Sequence, residues 1–162
     1  MPETAAWRLA RARRPRAESH GWLAASNVID AVVSGAVAGV LSGAPSTVWT
    51  LARRGDLLES TAAAGTLLLG EDASRRSLIV AGAVAHSAIS LWWGFVLSRA
   101  LPRRHIFVAG AAAGLGIAAL DLGVIARRYP RIRALPRAPQ VADHVAFGVS
   151  AAAVLARRWR RN

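Results

Sequence analysis

Arginine is absent from four apolar stretches of this chain, Ile29 to Leu51, Ser77 to Ser98, His105 to Ala126 and Ala138 to Ala156. Each is about long enough to cross a hydrocarbon core roughly 30 Å thick, at about 1.5 Å of rise per helical residue. A soluble amphipathic helix scatters charge along its outer face every third or fourth residue. Val32 to Leu51 and Ser87 to Ser98 carry none. The pattern predicts an all-α, polytopic membrane bundle of four transmembrane helices over about 28–51, 77–100, 106–126 and 139–157. These lie within a transmembrane domain, 27–157, flanked by a basic N-terminal arm, 1–26, and a basic tail, 158–162.

The first span carries Gly35, Gly39 and Gly43 at i, i+4 and i+8, with Ser34, Ser42 and Ser46 beside that stripe. Small residues at this spacing let helix backbones approach closely in lipid, where no hydrophobic effect drives association. Pro45 is placed to kink the last turn, and Trp49 marks the interface. The second span ends where Pro102 forbids continuation. The third shows Gly110 and Gly114 at G-x-x-x-G spacing and closes at Arg127 and Arg128. A linker with Pro130 and Pro136 follows, and Pro139 suits the first position of the fourth span. Between Gly55 and Arg76, the run Leu57, Leu58, Ala62 to Gly65 and Leu67 to Leu69 is too apolar for an ordinary loop and too short to span. It reads either as a short interfacial or partly re-entrant helix at about 56–70 or as a surface helix packed on the bundle.

A weak internal repeat runs through these spans. The first and third match at an offset of 75, which places Gly35 on Gly110 and Gly39 on Gly114. The second and fourth match at an offset of 58, which places His86 on His144, Leu97 on Leu155 and Arg99 on Arg157. Two repeated helical hairpins are implied, related by an axis along the membrane normal.

All 21 basic residues are arginine, against nine acids, giving a formal charge of +12. Such a balance suggests a nucleic-acid binder, but the arginines cluster at the ends of the apolar windows. There guanidinium groups reach phosphate head groups, so the expected partner is a bilayer with anionic head groups and not a nucleic acid. A homo-oligomer or a membrane-protein partner fits the glycine stripes. With no cysteine, disulfide and thiolate chemistry are excluded. The first 22 residues resemble a signal peptide only superficially, since the apolar run is too long and no small-x-small cleavage site closes it. An uncleaved first span is expected, after an arm whose Trp7 and Trp22 suit the interface. That arm reads equally as a short amphipathic helix or a basic tail.

Ionisable residues within hydrocarbon are costly and need an explanation. Asp30 lies near the start of the first span, where an N-terminal cap explains it. His86, Asp121, Asp143 and His144 share a depth, because alternating spans bring the starts of the second and fourth to the same face as the end of the third. Ser87 and Ser90 add hydroxyls near His86. Three roles fit His86, Ser90, Asp121, Asp143 and His144: interhelical hydrogen bonds used as packing glue, a proton or ion path, or a metal site on His86, His144 and Asp121. Trp92 and Trp93 read as lipid and interface anchors. No G-x-S-x-G, H-E-x-x-H, P-loop or dinucleotide-binding motif is present, and no cofactor is predicted.

The stretches GAVAGVLSGAPSTVWTLARRGDLLESTAAAGTLLL, AHSAISLWWGFVLSRALP and PQVADHVAFGV resemble a group of small uncharacterised integral membrane proteins of actinobacteria. The resemblance covers roughly residues 28–156. It implies four transmembrane helices in a plasma membrane and brings no activity or site residue. With both termini in the cytoplasm, the cytoplasmic side carries 12 arginines and the outside nine, a thin positive-inside bias. Three functional classes follow: a structural or partner-binding membrane subunit, a small transporter or channel-like protein, and a metal-dependent intramembrane enzyme.

Overall fold

The computed structural model describes residues 17–161, with side chains described from Val28 onward. The expected arm, including Trp7 and Arg8 to Arg16, lies outside the described residues, as does the side chain of Trp22. All regular structure among the described residues is helical. In chain order the elements are α1 Ala17–Ser42, α2 Ala44–Ala52, α3 Glu59–Leu69, α4 Arg75–Ala100, α5 Ile106–Gly123, a 3-10 turn Ile125–Arg128, α6 Pro130–Arg133 and α7 Arg137–Trp159.

Three segments are long and apolar enough to cross a membrane: Val28–Ala52, Arg75–Ala100 and Ile106–Arg128. The fourth expected span corresponds to α7, whose 23 residues suffice in length. Its apolar run is diluted by Gln140, Asp143 and His144, and it is not among those three segments.

Local chemistry sets the helix limits. α4 starts at Ser74, whose hydroxyl accepts from the Ser77 amide at 3.2 Å and so satisfies a donor that the first turn leaves open. α3 stops at Gly70, where φ of +76° favours glycine. The first span is interrupted at Gly43 because Pro45 has no amide to return to the Leu41 carbonyl; α2 restarts the helix at Ala44. Pro139 lies within the first turn of α7 and not at its first residue, which is Arg137. A first-turn amide has no intrahelical partner, so the ring is tolerated there.

α1 packs between α4 and α7, α5 packs on α7, and α3 covers the first half of α4. Glycines set how closely the helices approach. A Cβ at Gly35 would fall 2.6 Å from the Ser90 carbonyl oxygen, and one at Gly39 would fall 2.7 Å from Ser90 Oγ. In the other pair, a Cβ at Gly110 would lie 2.5 Å from the Gly148 carbonyl oxygen, and one at Gly114 would overlap the His144 carbonyl. Gly43, expected in the same stripe, has nothing within 4 Å of its Cβ position and belongs to the helix break instead. α3 meets α4 equally closely, at Gly65 against Leu78 and Gly82 against Thr61. At about 1.5 Å per residue its 11 residues are too short to span, and it is packed on the bundle. Leu97, Leu101, Ile106, Phe147, Ala151 and Leu155 form the main apolar cluster, with Trp93 and Trp159 against it.

Candidate functional site

The polar residues that the sequence singles out gather around the break in the first span. At Gly43 the helix ends and restarts, so the first amides of α2 have no carbonyl behind them. The Ser46 amide donates instead to Asp143 Oδ1 of α7 at 2.9 Å. One turn earlier, the Gly39 carbonyl oxygen lies 2.9 Å from His86 Nε2 of α4. A carbonyl only accepts, so the proton of the His86 ring resides on Nε2 in this contact. Ser90, one turn along α4, is buried against Gly39.

His144 follows Asp143 on α7 and turns toward α5. Its Nδ1 donates to the Gln140 carbonyl oxygen at 2.7 Å, and its Nε2 lies 3.0 Å from Asp121 Oδ2. Both ring nitrogens thus face acceptors, and one proton is shared between Nε2 and the carboxylate. The pair is net neutral whichever of those atoms holds it. That neutrality avoids most of the cost of an isolated charge away from water.

Asp30 departs from its expected capping role. Because α1 extends back to Ala17, Asp30 sits inside a continuous helix with no open amides to cap. It is 2% exposed, and its Oδ1 accepts from Arg158 Nε at the end of α7. The sequence carried a signal for this pair, since alternating spans place the start of the first beside the end of the fourth.

A second set of charges lies at the opposite end of the helices. Arg131 of α6 grips Glu59 of α3 with two bonds, Nε to Oε1 at 2.8 Å and Nη2 to Oε2 at 3.0 Å. The guanidinium holds the Glu59 carboxyl below its usual range. Asp56 is likewise lowered, first by the Leu58 amide and then by Arg75, with which it is paired.

The structure therefore unites His86, Ser90 and Asp143 around the first span and pairs His144 with Asp121. It does not gather His86, His144 and Asp121 on one centre, and no group of three His, Asp or Glu side chains able to hold a metal occurs among the described residues. Open hollows lie along α4, one lined by Ile79, Val80, Ala83, Val84 and Ser87 and one between α4 and Leu69 of α3. Trp92 is 61% exposed and stacks on Phe95, whereas Trp93 turns into the core. Sequence reading missed the Ser46 amide and Gly148. The latter follows His144 by four residues, as Ser90 follows His86. No family model, curated protein or solved structure matches the chain.

Proposed function

We propose that this chain is a four-span protein of the plasma membrane, with both termini in the cytoplasm, that acts as a structural or partner-binding subunit. Its intramembrane polar side chains fasten helix to helix. The pairing itself supports this: Asp30 with Arg158, Asp143 with the Ser46 amide, His144 with Asp121 and His86 with the Gly39 carbonyl each tie two different helices. Among the described residues, no fully buried side-chain nitrogen or oxygen lacks a partner. α7 serves as the fourth span, its charges lying at its ends or in these bonds.

The matching contacts of the two helix pairs support a repeated hairpin. Gly35 meets Ser90 and Gly94, and Gly110 meets Gly148 and Ala152. Gly39 meets Ser90 and His86, and Gly114 meets His144. These are the residues that offsets of 75 and 58 equate. The same offset of 75 equates Ser46 with Asp121, the two positions that bond to Asp143 and His144.

Reconstitution into liposomes tests the reading. Alanine at His86 and His144 is expected to lower stability and leave proton permeability equal to that of empty vesicles. A pH-dependent flux in the native protein that the double variant abolishes overturns the structural role in favour of a conducting one. For topology, the absence of cysteine allows single labels. An impermeant maleimide is expected to label Ala73→Cys and not Arg161→Cys in intact cells.

A further inference from the structure

The end of the bundle formed by the α4–α5 loop and the last turn of α7 joins exposed guanidinium groups to exposed apolar surface. Arg103 lies over the Trp159 ring, 5.5 Å from its centroid. Arg104, Arg157 and Arg160 are exposed beside this contact in sequence. Among the side chains described from Val28 onward, Asp30 is the carboxylate nearest this end, and Arg158 has turned inward to engage it. No other ion pair involves this end among the described residues. At the opposite end Arg75 and Arg131 are occupied by Asp56 and Glu59, and Arg53 lies over the Trp49 ring, 4.3 Å from its centroid. Directly after Arg103 and Arg104 in the chain, Phe107 is 52% and Val108 71% exposed in the first turn of α5.

We propose that this end seats an anionic phospholipid, its phosphate among Arg103, Arg104, Arg157 and Arg160 and its acyl chain along Phe107. The inference rests on the membrane-spanning reading above. A soluble polyanion engages the guanidinium groups alone, whereas a lipid from the layer around Phe107 and Val108 brings phosphate and acyl chain together. Trp159 suits the level at which head group gives way to hydrocarbon. Its ring also holds the Arg103 guanidinium in place by cation–π attraction, so less freedom is lost when a phosphate arrives.

The test uses the full chain in mild detergent with equal amounts of phosphatidylglycerol and phosphatidylcholine, bound lipid being counted by native mass spectrometry. Phosphatidylglycerol is expected to be retained about tenfold over phosphatidylcholine, with the preference falling as salt rises. Arg103→Gln with Arg104→Gln should remove the preference. Arg160→Gln, the second variant, should reduce it about threefold. Arg75→Gln with Arg131→Gln, whose guanidinium groups are occupied by carboxylates at the other end, should leave it unchanged. Equal retention of the two lipids, an undiminished preference in either loop or tail variant, or an equal loss on changing Arg75 and Arg131 overturns the seat. Displacement of the lipid by RNA also overturns it. Recovery of the chain in the aqueous fraction without detergent overturns the spanning reading itself, whereas equal retention by a detergent-extracted chain overturns the lipid seat alone.

Discussion

In the α1–α4 pair, Gly35 and Gly39 bring the backbone of α1 against Ser90 and Gly94; in the α5–α7 pair, Gly110 and Gly114 do the same against Gly148, Ala152 and His144. The approach is alike and the fastening differs. His86 donates to a neutral backbone carbonyl, whereas His144 shares a proton with the Asp121 carboxylate while its other nitrogen bonds Gln140. Asp121 is matched in the first pair by Ser46, which offers its amide to Asp143 across the junction between pairs. Close packing is thus common to the two pairs. The polar bond is tailored to what the helix presents: an intact α5 presents a side chain, and a broken first span presents its backbone.

The largest effects should come from the shared feature. Gly114→Val and Gly35→Val each press a side chain onto backbone that has nowhere to move, at a cost of about 3 kcal/mol or more. Gly43→Val, facing open space, should cost well under 1 kcal/mol by the same measure. Unfolding titrations in mixed micelles compare the three, and similar stability of Gly35→Val and the native chain would break the likeness between pairs. Next is the bolt between the pairs. Arg158→Ala leaves the buried Asp30 carboxylate without a partner, at about 3 kcal/mol. Adding Asp30→Asn should recover part of that loss, and no recovery would show that Arg158 acts through packing alone.

Smaller effects sharpen the difference. His144→Ala should cost about 1–2 kcal/mol and His86→Ala about 0.6 kcal/mol, the range measured for hydrogen bonds between helices in lipid. An equal loss from both would erase the distinction between carboxylate and carbonyl acceptors. The smallest effect lies outside the pairs, where Arg131 clamps α3. Because Glu59 and Asp56 have lowered pKa values in the folded chain, their contribution is present above the usual carboxylate range near pH 4 and is lost as pH falls through the lowered values. Proteolysis of the Asp56 to Arg76 segment should therefore accelerate below about pH 4; Arg131→Gln should remove the part due to Glu59 and leave the part due to Asp56, which the Leu58 amide and Arg75 hold.

Much of the fold was legible because long uncharged apolar runs are a coarse code for long helices. The uncharged runs marked Val28–Ala52, Arg75–Ala100 and Ile106–Arg128, and four of the five glycines chosen for packing lie at close contacts between helices. Gly43 shared their spacing, and only the effect of Pro45 two residues later sets it apart. Asp30 misled because the apolar run starts near Val28 while the helix starts at Ala17. Hydropathy reports where water ends, and a helix continues past that point wherever its amides stay bonded.

The sequence by itself determined that the chain is helical, where the long apolar segments lie and which polar residues stand out within them, since each depends only on neighbours along the chain. Tertiary structure alone decided who meets whom: Arg158 with Asp30, Asp143 with an amide of the broken span, and His144 with Asp121 but His86 with a carbonyl. Such bonds depend on the rotation and order of helices, and those are set by how far small residues let backbones approach, a property of two surfaces together and of neither sequence segment alone.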